Sequence, residues 1–219
     1  MGALTPLNNK ETLGNTFSDL GDMPPKFIFI LGSGGFAREL GVYFQTTFPA
    51  TILFVDDTTG DDIITTEKYH ELIKLNNIRF ASIMGSGKPS IKEKMLSQIR
   101  GRIVNFTHPN STIFSDIGEG SVVAPSAVIA PYCNIGKHVL INYCASIGHN
   151  TIIEDLAVVS PNASVGGFCK IGRGAYIGAG ANIREHITIG ANAVIGMGAV
   201  VVKDVPDDVT AVGVPARWT

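Results

Sequence analysis

Val165-Gly166-Gly167-Phe168-Cys169-Lys170-Ile171-Gly172-Arg173-Gly174-Ala175-Tyr176-Ile177-Gly178 is the stretch that decides the fold. An aliphatic residue returns at every sixth position, a small residue stands four places after it, and glycine often follows it directly. Followed outward, the step of six reads Ile117, Val123, Ile129, Ile135, Ile141, Ile147, Ile153, Val159, Val165, Ile171, Ile177, Ile183, Ile189, Ile195 and Val201 with no change of phase. With Ile and Val near about 15% of an ordinary chain, such a run has a chance probability on the order of 10⁻¹². The fourth place is mostly small, as at Ser121, Ala127, Cys133, Ala145, Thr151, Ala163, Cys169, Ala181 and Ala199.

A period of six fits no α-helix. It fits short strands with alternating side chains, broken by turns. The aliphatic side chain points inward and the small residue packs beside it. The glycines that follow, among them Gly118, Gly136, Gly148, Gly166, Gly172, Gly178, Gly190 and Gly196, are expected to relieve the turn conformation. One coil cannot bury its own core and must pair its backbone with the next. The pattern therefore predicts an all-β, left-handed parallel β-helix over residues 109–219, with three repeats per coil and five coils of 18 residues. A β-sandwich would show irregular strand and turn lengths.

Residues 26–108 read differently. Lys26-Phe27-Ile28-Phe29-Ile30-Leu31 is a buried-strand run, followed by Gly32-Ser33-Gly34-Gly35-Phe36-Ala37 and a helical stretch from Arg38 to Phe44. That arrangement, G-x-G-x-x-A between strand and helix, lets backbone N–H groups approach a phosphate at the helix N-terminus. A second strand, Ile52-Leu53-Phe54-Val55, ends in Asp56-Asp57, where a carboxylate is placed to accept a ribose or base hydrogen bond. A third, Ile78 to Met84, leads into Gly85-Ser86-Gly87 and a helix from Ser90 to Ile99. The span is short for a complete six-stranded dinucleotide fold. The expectation is an α/β, Rossmann-like half-fold that binds a mononucleotide-linked substrate through Gly32, Ser33, Gly34, Gly35, Asp56, Asp57, Gly85 and Ser86. The competing reading is tight strand–helix packing with no ligand.

Composition narrows the field. The chain is 45% hydrophobic and 16% charged, enough to bury a sizeable core. A net charge of −2 gives no global reason to expect nucleic acid. Cys133, Cys144 and Cys169 form no C-x-x-C pair, so neither a disulfide framework nor a zinc site is expected, and a reduced, cytoplasmic protein is. Residues 1–25 lack the apolar core of a secretory signal and read as a flexible arm, and no apolar run is long enough to span a membrane.

The strand–Gly-x-Gly-Gly start, Phe54-Val55-Asp56-Asp57, the segment Ile141-Asn142-Tyr143-Cys144-Ala145-Ser146-Ile147-Gly148-His149-Asn150 and the tail Val212-Gly213-Val214-Pro215-Ala216-Arg217 are the features of a known family. Residues 26–217 resemble the sialic-acid O-acetyltransferase/bacillosamine N-acetyltransferase family, hexapeptide-repeat enzymes that move acetyl from acetyl-CoA to sugars. The resemblance implies His149 as catalytic base, Asn142 lining the site and Gly167 offering its N–H to the acetyl carbonyl. It further implies Gly178, Lys203, Pro215 and Arg217 on the acetyl-CoA side, a nucleotide-linked amino sugar held largely by the N-terminal domain, and a homotrimer with sites between subunits. Two positions depart from the family pattern. Asn150 stands where many relatives carry an acidic residue, and Val158 where some bacillosamine enzymes carry a second histidine.

Spacing adds an independent expectation. Residues 18 apart sit above one another, about 4.8 Å per coil, so His149 lies directly below Gly167, with Glu185 and Lys203 next along the edge. Lys203 then stands roughly 14 Å from His149, within reach of a CoA phosphate. His138, His149 and His186 have offsets of 11 and 37, neither a multiple of 18, which argues against a metal site and a carbonic-anhydrase-like role. Transfer to a sugar amine is the favoured reading. O-acetylation of sialic acid or another sugar, and a non-enzymatic assembly role, are the alternatives.

Overall fold

The structure, a computed structural model, describes residues 25–58, 60–75 and 79–218. Apart from Pro25, the arm expected over residues 1–25 lies outside the described residues. Two compact units divide between Asn105 and Phe106.

The N-terminal unit runs β1 (Phe27–Leu31), α1 (Gly35–Thr47), β2 (Thr51–Val55), β3 (Ile63–Ile64), α2 (Thr66–Leu72), β4 (Phe80–Met84) and α3 (Pro89–Met95). Its parallel sheet has the order β3-β2-β1-β4. This is the strand order of one half of a doubly wound dinucleotide fold. β1 is central and apolar on both faces, with Ile28, Phe29, Ile30 and Leu31 all buried, as a central parallel strand requires. On one face Phe29 meets Tyr69 edge-on at 5.2 Å. The Tyr69 hydroxyl is satisfied by donating to Arg100 O (2.7 Å) and accepting from Arg100 N (2.8 Å). β3 has no signature in the sequence: a two-residue edge strand is too short to display any periodicity.

From Phe106 the chain winds into a parallel β-helix. Its three faces hold eight, six and four strands. We call them first, second and third, with Leu140–Ile141, Ser146–Ile147 and Ile152–Ile153 as their respective examples. On the first face the column Thr107, Val123, Ile141, Val159, Ile177, Ile195, Ala211 spans six coils. The expected five coils are therefore corrected to six. The extra turn arises because the first and last coils are two residues short. Four residues separate Ile113 from Ile117, and Val201 from Val205, where six separate their counterparts in the next coil. Val205 pairs with Ile189 and so occupies the aliphatic place of its repeat. The core inside is mostly Ile, Val and Ala, with Cys169 among them and Trp218 packed against it. The tail strands Thr210–Gly213 and Ala216–Trp218 pair antiparallel around a cis Val214–Pro215 bond.

The turns correct a second expectation. The glycine after each aliphatic residue is not there for a positive φ. That conformation falls two residues later, at Tyr132 (φ 64°), Asn150 (58°), Phe168 (56°) and His186 (61°) along one edge, and at Gly120, Gly174, Gly180 and Gly198 elsewhere. The first glycine is required by the coil above: a Cβ on Gly148 would stand 2.5 Å from Gly167 N. Between these two positions lies a residue whose N–H takes no part in the coil-to-coil ladder among the described residues. Proline is accepted there, at Pro125, Pro131 and Pro161, because no donor is lost. Elsewhere a side chain caps the donor, as Asp155 Oδ1 does for Lys137 N (2.8 Å) and Glu154 Oε2 for Arg173 N (2.9 Å). No helix among the described residues is long and apolar enough to cross a membrane.

Candidate active site

The edge between the second and third faces carries His149 and Gly167 one above the other. Gly148, pressed under the next coil, turns the chain outward, and His149 follows at the position whose N–H the ladder leaves unused. Its exposed ring lies against the coil above, so that a Cβ on Gly167 would meet Nε2 and Cε1 at 3.1 Å each. Glycine at 167 is thus what gives the imidazole its place. The Gly167 N–H has no hydrogen-bond partner among the described residues, while its neighbour Phe168 N is engaged with His149 O at 2.9 Å. An imidazole nitrogen and an uncommitted backbone donor share one open corner.

Asn150 completes the arrangement. Held at φ 58°, it sets its Oδ1 3.0 Å from His149 Nδ1. An amide oxygen accepts, so the contact suits the tautomer with its proton on Nδ1, and Nε2 lies on the Gly167 side of the ring. Behind the ring, Phe168 meets His149 edge-on at 5.1 Å and stacks on His186 at 4.9 Å and 3°. The Asn150, Phe168 and His186 column is spaced by 18 residues, one residue out of step with His149 and Gly167. Periodicity alone makes this column legible, but nothing in the periodicity attaches chemistry to it.

Other expected site residues fall elsewhere. Asn142 and Gly178 lie on the edge between the first and second faces, where Gly178 is buried and a Cβ would meet Ile195 O at 2.6 Å. They share a column with each other and not with His149. Lys203 is exposed on the His149 edge, inside the shortened turn before Val205. Val201, two residues before it, pairs with Ile183, so the 18-residue step still holds where this turn begins. Pro215 and Arg217 are exposed in the tail hairpin. The thiols of Cys133 and Cys169 are pushed up by burial, and their Sγ atoms face Gly148 O (3.2 Å) and Arg184 O (3.1 Å), so neither is a ready nucleophile. No group of three or more His, Cys, Asp or Glu suited to a metal ion occurs among the described residues.

In the N-terminal unit the glycine loop is built to leave space. Gly32 takes φ 99° and donates to Val55 O (2.8 Å), anchoring the loop to the end of β2. A side chain on Gly34 or Gly35 would meet nothing within 4 Å. α1 has no side-chain cap, so its first-turn N–H groups face the opening. Asp56, expected to accept from a ribose or base, takes bonds within the chain at Oδ2, from Ser33 N (2.8 Å) and Ser33 Oγ (2.7 Å). Burial pushes its carboxyl up, but the bonds from Ser33, Thr58 and Asp57 outweigh this and hold it below the usual range. Asp57 is exposed beside it. Gly85 is a packing residue, since a Cβ would stand 2.6 Å from Ala37 Cβ and from Ile30 Cγ2, and the Ser86 hydroxyl is occupied locally by Lys88 N (3.1 Å). Arg38, not singled out in the sequence, stacks 4.1 Å over Phe54 and pairs with Asp62, closing the loop from the helix side.

The fold and its turns are those of a hexapeptide-repeat β-helix. Residues 168–203 match the family model described as bacterial transferase hexapeptide (six repeats). Three solved structures extend the likeness across both units. The acetyltransferase domain of PglB from Neisseria gonorrhoeae FA1090, in complex with acetyl coenzyme A, is 28% identical, with 90% of this chain and 100% of that one covered and a TM-score of 0.79. A mutant of perosamine N-acetyltransferase from Caulobacter crescentus, in complex with CoA and GDP-perosamine, is 26% identical over 88% and 96% of the two chains, with a TM-score of 0.80. WeeI from Acinetobacter baumannii AYE is 28% identical over 88% and 99%, with a TM-score of 0.74. None of the curated protein sequences matches. Over both units the chain is thus similar to hexapeptide-repeat acetyltransferases.

Proposed function

We propose that this protein transfers acetyl from acetyl-CoA to the amino group of a nucleotide-linked amino-deoxy sugar, with His149 as general base. The observation that carries the reading is the His149 ring, its Nδ1 bonded to Asn150 and its Nε2 beside the uncommitted Gly167 N–H. An amine is mostly protonated near neutral pH and must lose a proton before or as it attacks. Imidazole is the side chain suited to that exchange, and such help is typically worth ~10²–10⁴ in rate. Nε2 takes the proton as the amine nitrogen bonds to the thioester carbon and the carbonyl π pair moves onto oxygen. The Gly167 N–H receives that oxyanion, a contribution often near ~3 kcal/mol. On collapse the C–S bond breaks, and the thiolate leaves with the proton returned from the imidazolium.

The exposed cations Lys203 and Arg217 are the candidates for the CoA phosphates. The open Gly34–Gly35 loop at the α1 N-terminus is the candidate for the nucleotide phosphates, an anion site of the usual helix-terminal kind. The relatives crystallised with acetyl coenzyme A, and with CoA and GDP-perosamine, favour both halves of this substrate pair. A homotrimer with sites between copies, working in the reducing cytoplasm, completes the proposal.

The test is a panel of UDP-, dTDP- and GDP-linked amino sugars with acetyl-CoA, following free thiol. Turnover of at least one, abolished in H149A, is expected. Silence on the whole panel together with activity on free sialic acid would redirect the reading to O-acetylation.

A further inference from the structure

The fourth place of each repeat, directly inside the turn, differs from edge to edge. Between the first and second faces it is Ser111 in the first coil and then alanine, at Ala127, Ala145, Ala163, Ala181 and Ala199. Behind the His149 edge it is Ser115, Cys133, Thr151 and Cys169, followed by Ile187. Polar side chains in a core otherwise made of Ile, Val and Ala carry a cost unless bonded. Thr151 is fully buried, and its hydroxyl is used twice: it accepts from Cys169 N (3.3 Å) and donates to Gly166 O (2.9 Å).

Gly166 O belongs to the same peptide plane as Gly167 N–H. A trans peptide is rigid, so drawing its carbonyl inward aims its N–H outward. Flanked by glycine on both sides, this peptide has the least steric resistance of any to rotating about its axis. We infer that Thr151 is the positioning residue of the oxyanion donor: its hydroxyl holds the Gly166–Gly167 peptide with the N–H turned to the open corner beside His149. Bonding at the carbonyl end also polarises the peptide and strengthens its donor. At the same place in the coils above and below, the donors to Arg184 O and Gly148 O are thiols, which are weaker. The hydroxyl stands under the glycine pair.

This rests on the reading of His149 and Gly167 as base and oxyanion donor, and the experiment separates the two. T151V keeps shape and removes the donor. It is expected to lower kcat by about tenfold to a hundredfold, the scale of a misaimed oxyanion donor, with KM for both substrates held within about threefold. The acidic limb of the pH–rate profile stays in place, because the base is untouched. T151S restores kcat. If T151V does not fold, T151C supplies a weak donor and gives an intermediate kcat.

S121A is the structural control. Ser121 makes the same pair of bonds, to Gly136 O (3.0 Å) and from Val139 N (2.9 Å), on the edge between the third and first faces. It is expected to lower thermal stability without lowering kcat. Wild-type kcat in folded T151V, no rescue by T151S, or an equal loss of kcat in S121A would overturn the inference while leaving His149 in place. An active H149A would instead remove the reading beneath it.

Discussion

The two units keep a backbone donor open by opposite means. In the β-helix the donor at Gly167 is fixed by neighbours 18 residues away, because each coil is a template for the next. In the N-terminal unit the Gly34–Gly35 loop is free on its open side and is held from behind by a few local bonds, Ser33 to Asp56 and Arg38 to Asp62 and Phe54. Glycine therefore has two meanings in one chain. At Gly148 it avoids a collision with backbone, and at Gly35 it borders open space among the described residues.

The largest expected effect tests whether chemistry belongs to the templated edge. H149A and H149N should fold as the parent does and lose about 10²–10⁴ in kcat/KM, measured by thiol release; near-normal turnover in either would dissolve the comparison on its functional side. Next comes the meaning of glycine. G148A drives a methyl group into the Gly166–Gly167 backbone and should destabilise the β-helix by about 1–3 kcal/mol in denaturant unfolding. A neutral result would show that the coils are not rigid templates.

N150D sharpens the edge further. A carboxylate in place of the amide stabilises imidazolium, so the acidic limb of the pH–rate profile should move to higher pH, and an unmoved limb would detach Asn150 from His149. G35A is the smallest. It adds a methyl into open space at a helical position and should raise stability by about 0.5–1 kcal/mol, while weakening nucleotide binding measured by calorimetry. A loss of stability would mean the loop is packed after all.

Legibility follows the same divide. Fifteen aliphatic positions at fixed spacing carry the β-helix, and stacking by 18 is enough to bring His149 under Gly167. What the pattern misses is its own interruptions. The turns Ile113–Ile117 and Val201–Val205 are two residues short, so a strict step of six counts one coil too few. In the other unit β1 and its glycine loop are readable, but the bonds from Ser33 to Asp56 that tie the loop to β2 are not. Sequence places a carboxylate at a strand end without saying which donor reaches it first. Asn142 and Gly178 come from family likeness rather than from spacing, and the 18-residue register puts both on a different edge of the chain from His149.

The unused N–H in the middle of each turn has a consequence for how such molecules diversify. Every corner offers one main-chain position that the ladder does not use, spaced by a single strand width from its neighbours. Blocking one with proline, hooding it with an aspartate or baring it with glycine changes what that rung can hold without disturbing the rungs beside it. The prism is in that sense a rack of interchangeable sockets, and acquiring a new acceptor or a new carrier requires editing a corner, not refolding a core.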